Sequence, residues 1–358
     1  MSNKMSPERL ARYRALSTDN VLGISDEKIS AYIERIVDEG YSLEADFFVF
    51  LRHHGFFQAP HTQGLNDVDI ACVGVPMDQS TPMRGGTRLG PQAARKWSHI
   101  HGPVHEQWKT MPYDLCNIIE YGDIAFSGTG GETRCGDIYK VYKQFYERGI
   151  VPLSCGGEHT MTRPITIALG EDEPMGLVHI DAHADTGGTP AGMDSYNDNS
   201  VFREAVLAGA IDPERTIQIG IRGRAHIVWD FSHKTGMRVV SADEVHSNGI
   251  AAVVEEMQRI IGDGPVYLSI DTDGIDCIHM PGTTLPEPFG VTPLDVRSVI
   301  RGMRGMDIRG ADIAELNPSG DPTEQSANIV AGLMFEMLCV LAEAKAERNG
   351  KPRMTHWR

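Results

Sequence analysis

Six cysteines are spread along the 358 residues (Cys72, Cys116, Cys135, Cys155, Cys277 and Cys339), and no two form a C-x-x-C pair. That scatter suits reduced thiols better than a disulfide framework. The chain also lacks an apolar run of about 18 residues and a signal-peptide pattern near Met1, so neither membrane spanning nor export is expected, and the cytoplasm is the expected compartment. Basic clusters are missing as well. Lys and Arg number 33 against 49 Asp and Glu, and the net charge of −16 repels nucleic-acid phosphates and anionic membranes. No repeat of 20–50 residues and no low-complexity tract interrupts the chain. What is present is ordinary globular composition, 41% apolar and 23% charged, with enough length to bury a substantial core.

Two textures divide the chain. Residues 1–66 open polar and then show a helical period from Ser25, with Ile29, Tyr32, Ile33, Ile36 and Val37 on one face. The aromatic stretch EADFFVFLRHHGFF (44–57) follows, and this opening segment is expected to pack on the main body or on a neighbouring subunit. Residues 67–358 form the expected catalytic domain. There short β-branched runs alternate with helical stretches: VDIACVGVP (68–76), GIVPLSCGG (149–157), GLVHIDAH (176–183), TIQIGIRG (216–223), VYLSIDTD (266–273) and GADIAEL (310–316). Runs apolar on both faces belong to strands covered on both sides, so the expected fold class is a three-layer α/β/α domain with a mostly parallel sheet. GIAAVVEEMQRI (249–260) and QSANIVAGLMFEMLCVLAEA (325–344) are expected helices.

Potential ligands collect where these strands end. His159 follows one run, Asp181, His183 and Asp185 a second, Asp271 and Asp273 a third, and Glu315 closes a fourth. In open parallel sheets that edge is where functional groups gather. If the extended conformation persists through 181–185, the three ligating residues at alternate positions project together. Four buried aspartates without cations would be severely unfavourable, and two divalent ions would balance their charge. A pair of ions about 3.5–4 Å apart shares a water and lowers its pKa, which is the chemistry of binuclear metal-assisted hydrolysis.

GGEHT (156–160), DAHAD (181–185), SIDTDGIDCIHMPGTTLPEPFG (269–290) and AELNP (314–318), with RGGTRLGPQAAR (84–95), together resemble the ureohydrolase family of arginases and agmatinases. The resemblance implies a trimer or hexamer, two divalent metals, and hydrolysis of a small cationic guanidino substrate at a C–N bond. It places His159, Asp181, Asp185 and Asp271 on one ion and Asp181, His183, Asp271 and Asp273 on the other. It implies that Glu315 grips the planar guanidinium through two parallel N–H bonds and that Asp185 carries the proton to the leaving nitrogen.

Two departures from the family pattern bear on the substrate. The stretch TGGTPAGMDSYNDNSVF (186–202) has no histidine where relatives carry a His-Gly pair, so either Asp198 assumes part of that work or the substrate does not require it. Thr284, Leu285 and Phe289 stand where relatives tend to have Gly, Thr and Gly, and Leu285 and Phe289 make that rim bulkier and less polar. These features, together with the long opening segment, are similar to the guanidine and metformin hydrolase branch. The expected substrate is therefore a small guanidine or biguanide, with metformin giving guanylurea and dimethylamine, and the expected ions are Ni2+ or Mn2+. The alternatives are an agmatinase or guanidinobutyrase releasing urea, a non-catalytic partner in a hetero-oligomer with a paralogue, and a one-metal amide hydrolase of the deacetylase type.

Overall fold

The computed structural model describes residues 5–15, 55–79, 83–101, 104–189, 195–223 and 229–351. The chain divides into two compact units, Met1–His53 and His54–Arg358. In the first, the described part is a helix, Pro7–Ala15, with no buried residue; the helical period from Ser25 lies outside the described residues. The second unit carries all that follows. Its first described residues are already core, since Phe56 is fully buried and Phe57 is nearly so.

Eight parallel strands form one sheet: β1 (Ile70–Val75), β2 (Ile118–Asp123), β3 (Val151–Gly156), β4 (Met175–Ile180), β5 (Ile211–Ile221), β6 (Arg238–Ser241), β7 (Pro265–Asp271) and β8 (Asp307–Ala314). Their lateral order is β2-β1-β3-β8-β7-β4-β5-β6. The alternation of side chains assigns each face a layer. Ile70, Cys72, Leu153, Val178, Leu268 and Ile270 pack with helices Gly90–Ser98, Ile250–Ile261, Pro293–Gly302 and Gln325–Arg348. Ala71, Val73, Leu177 and Tyr267 pack with helices Gly131–Glu147, Thr162–Leu169 and Val201–Leu207. The expected three-layer architecture is therefore the observed one.

All six strands read from the sequence are present, and the two not read, β2 and β6, are the sheet edges. An edge strand is covered less completely, so its apolar signal is shorter. The helix Gln325–Arg348 is long and apolar enough by composition to cross a membrane, yet 83% of its apolar window is buried inside the protein. Being surrounded on all sides, it is apolar on all sides. The six cysteines are all free, five of them buried.

One local expectation differs. β4 ends at Ile180, so Asp181, His183 and Asp185 lie in the loop beyond it and not on a continuing strand. The cause is local: Asp181 Oδ1 accepts the N–H of His183 at 2.6 Å, a side-chain turn that draws the backbone out of the extended conformation. Asp185 then takes φ +50°, in the left-handed region that non-glycine residues seldom occupy. The motif residues still meet, but through a tight turn and not through strand alternation.

Candidate metal centre

The carboxyl ends of β3, β8, β7 and β4 are adjacent in the sheet, and they bring the expected ligands to one place. His159 sits on a single 3₁₀ turn, His159–Met161, directly after β3. Its Nδ1 lies 2.9 Å from Asp185 Oδ2 and 3.4 Å from both Asp181 Oδ2 and Asp271 Oδ2. On the other side of Asp181, His183 Nδ1 lies 3.5 Å from Asp181 Oδ1 and 3.2 Å from Asp273 Oδ2. The donors thus form two groups that share Asp181, one oxygen to each. Asp271 joins the His159 group through Oδ2, while its Oδ1 accepts the Asp273 N–H at 2.8 Å.

The hydrogen bonds around these groups leave the inward-facing atoms bare. Ser269 donates its hydroxyl to Asp312 Oδ1 at 2.7 Å, so its lone pair is what His159 Nε2 meets at 2.9 Å. That partner takes the Nε2 proton, so Nδ1 is the atom aimed inward, with a lone pair for an ion when the ring is neutral. Accordingly, His159 Nδ1 is buried and makes no hydrogen bond, although three carboxylates surround it. Asp273 Oδ1 accepts from Ala182 N at 3.2 Å, which leaves Oδ2 toward His183. Two ligands each about 2.1 Å from a common ion are separated by about 3.0–3.4 Å, the spacing seen between these donors. Gly223 is required for this packing, since a Cβ there would stand 2.2 Å from the His183 ring.

Electrostatics point the same way. Among the described residues, no lysine or arginine forms an ion pair with these aspartates, which instead face the imidazoles of His159, His179 and His183. Burial and the neighbouring Asp181 push the Asp185 carboxyl up to about 7. Burial, with Asp273 and Asp181 nearby, holds Asp271 well above the ordinary carboxylate range. Burial alone would lower the His159 imidazole, but Asp181, Asp185 and Asp271 outweigh it and raise it well above its usual value. A donor set of imidazole nitrogens and carboxylates, short of positive charge and aimed inward, fits divalent cations.

Glu315 follows β8 at φ +64°. Its Oε1 accepts the His159 N–H at 2.6 Å, whereas Oε2 is buried without a hydrogen bond, near the Thr284 hydroxyl. Burial, with Asp198 and Glu158 nearby, holds this carboxyl well above the usual range. Asp198 opens the short turn Asp198–Ser200, and burial with Glu158 pushes its carboxyl up to about 6. Glu315, Asp198 and Glu158 therefore form an acidic wall next to the His159 group.

The sequence reading did not single out several residues that hold this arrangement. Asp312 accepts from Thr162, Tyr267 and Ser269, each at 2.7 Å. Arg222 directs its N–H groups to five backbone carbonyls, those of Gly220, Asp273, Gly274, Glu287 and Pro288, at 2.8–3.1 Å. Glu287 Oε1 faces His183 Nε2 at 3.5 Å. The glycine-rich motif at 84–95 serves packing: a Cβ on Gly90 would stand 2.7 Å from the carbonyls of Gly156 and Leu316, and Asn317 Nδ2 donates to Arg84 O and Gly85 O.

The model of the arginase family matches residues 68–339. A guanidinopropionase of Pseudomonas aeruginosa is 39% identical over 281 residues, 78% of this chain and 88% of that protein. A guanidinobutyrase of the same organism is 38% identical over 288 residues, covering 79% and 90%. Among solved structures, a hypothetical agmatinase from Burkholderia thailandensis superposes with a TM-score of 0.77 at 32% identity, covering 83% of this chain and 93% of that one.

Proposed function

Because the chain belongs to the arginase family of hydrolases acting on guanidino compounds, we propose that it cleaves a linear guanidino substrate with a polar tail, a guanidino acid or agmatine, to urea and an amine. The relatives support this reading over the guanidine or biguanide substrate that the rim residues suggest. The observation that carries it is the open, buried Oε2 of Glu315 in a wall of acids. A planar cation with several N–H groups is the ligand such a wall accommodates.

In this reading His159, Asp181, Asp185 and Asp271 would hold one divalent ion and Asp181, His183, Asp271 and Asp273 a second, either Mn2+ or Ni2+. When bound, the ions would balance the aspartate charge and lower the pKa of a water toward neutrality. The protein does the rest. Glu315 fixes the guanidinium against rotation, with Oε1 anchored by the His159 N–H and Oε2 open to substrate. Asp198 adds negative charge to the same wall. One proton of the water passes to solvent on activation, the oxygen bonds to the guanidino carbon, and Asp185 accepts the second proton. Asp185 then returns that proton to the departing nitrogen as the C–N bond breaks, so amine and urea leave neutral.

The test is to load the purified chain separately with Mn2+ and Ni2+. It is then offered 3-guanidinopropionate, 4-guanidinobutyrate, agmatine, arginine, guanidine and metformin, and urea, guanylurea and amine are quantified. Turnover of a guanidino acid or agmatine with urea release is expected. A second reading, a small guanidine or biguanide, is favoured by Phe289, which stands 77% exposed at φ +65°, and by the histidine-free stretch 186–202. Dominant guanidine or metformin turnover would select it. Activity of the chain expressed alone, with its mass in solution, tests whether it works as a homo-oligomer or needs a paralogue.

A further inference from the structure

Beneath the ligands runs a polar row inside an otherwise apolar sheet. Ser154 pairs with Asp312, Asp312 with Ser269, Ser269 with His179, and His179 with Gln218, in register across β3, β8, β7, β4 and β5. All five side chains are fully buried. Their Cβ atoms lie on the face that carries Leu177 and Tyr267. Burying such a row is unfavourable unless each group has a partner with a task.

His179 occupies the part of the row nearest Asp181. Its Nε2 lies 2.8 Å from Asp181 Oδ2, and its Nδ1 lies 3.0 Å from Gln218 Nε2. Gln218 Nε2 also donates to the Ala184 carbonyl at 2.6 Å, which fixes which end of the amide is nitrogen. Gln218 therefore presents an N–H to His179 Nδ1, so Nδ1 accepts and the ring proton resides on Nε2. That proton can go only to Asp181. Together with the His183 N–H on Oδ1, each Asp181 oxygen then holds one hydrogen bond and keeps one lone pair. The free lone pairs face His159 on one side and His183 on the other. Phe202 seals the arrangement, with its ring centroid 4.3 Å from that of His179 and 5.5 Å from that of His159.

His159, His179 and Asp181 also bring one potential ligand atom each within 4.8 Å of one another, close enough for a three-ligand metal site. The hydrogen-bond directions exclude His179 from that role, because its lone pair is on Nδ1 and faces Gln218. We propose instead that His179, with its tautomer set by Gln218, is a positioning residue that aims the shared carboxylate Asp181 between the two ion sites. This rests on the metal reading above.

Mn2+ binding by the full-length chain, measured by competition with a chelating dye and by metal content per chain, tests it. Loss of a partner hydrogen-bonded to a ligand weakens metal binding by about 10–100-fold. His179→Leu is expected to lose affinity on that scale. His179→Gln, which keeps an N–H donor at similar reach, is expected to recover most of the loss, and Gln218→Leu to fall between. A purely structural role would lower the melting temperature of the metal-free protein and leave metal affinity unchanged. Wild-type affinity in His179→Leu, or no recovery in His179→Gln, overturns the proposal. Should His179→Leu fail to fold, Gln218→Leu decides, since wild-type affinity there overturns the proposal and weakened binding supports it. A wild-type chain that takes up fewer than two ions per chain with both Mn2+ and Ni2+ overturns the metal reading itself.

Discussion

Glu315 presents two oxygens with different duties. One ties the residue to the His159 backbone at 2.6 Å, and the other is left for substrate. Hydrogen bonds to charged groups contribute about 1.5–3 kcal/mol. Glu315→Gln, which removes the charge and keeps the shape, should therefore lower kcat/KM by roughly 10- to 100-fold at unchanged metal content. Steady-state kinetics beside metal analysis check it; equal kinetics in the variant would remove Glu315 from the substrate contact. Arg222 acts at one remove, through backbone. Lysine offers three donors on a single centre in place of a planar fork of five, so Arg222→Lys leaves carbonyls among Asp273, Gly274, Glu287 and Pro288 without partners. A stability loss of about 1–3 kcal/mol and weaker Mn2+ binding are expected, read by denaturant unfolding and dye competition.

The elements that carry the ligands are separated from those that only support them, and this can be tested on a helix. The helix Pro293–Gly302 starts with a capping box, in which Thr292 Oγ1 accepts the Asp295 N–H at 3.2 Å and Asp295 Oδ2 accepts the Thr292 N–H at 2.9 Å. Thr292→Ala should cost about 1 kcal/mol of stability and leave the metal content unchanged, which urea unfolding and metal analysis report. At this scale much was legible in the sequence. The central strands announced themselves because both their faces are covered, whereas β2 and β6, at the edges, carry Glu120 and Arg238 among fewer apolar residues. The ligating motifs were legible because their residue types are rare together at strand ends. The row that supports them was not, because a lone histidine in GLVHI or a lone serine in VYLSI looks like tolerated variation. The available signal was its recurrence: one polar residue shortly before the end of run after run. The turn that carries Asp181, His183 and Asp185 was not legible, because alternation is equally compatible with an extended strand and with a side-chain turn.

At the scale of the molecule, two responses should appear. Removing metal with a chelator withdraws the ligand that stabilises the native state. At about 100 times Kd that stabilisation is about 2.7 kcal/mol, so the melting temperature should fall by roughly 3–4 °C for a chain this size. No change on chelation would mean that the centre does not hold ions in the purified protein. The second response is to acid. Burial would raise the Glu336 carboxyl, but His105 and Arg301 outweigh it and hold it below its usual range. Asp307 is likewise held down by Arg309 and Arg348 against its burial. Carboxyls depressed in the folded state contribute stability above their unfolded pKa, and that contribution is lost as pH falls through the folded value. Urea midpoints should therefore drop from about pH 4 downward, and Glu336→Gln should flatten part of that slope.

The in-register row from Ser154 to Gln218 has one further consequence. The five residues come from five segments far apart in the chain, yet they are lateral neighbours, so the accuracy of the centre belongs to the alignment of strands and not to any one loop. A displacement of a single strand by one residue would turn its member of the row toward the opposite helical layer and put an aliphatic side chain in its place. Misaligned sheets are thus penalised twice, by burying an unmatched polar group and by losing the ion site, which makes correct pairing and competence for chemistry a single folding decision.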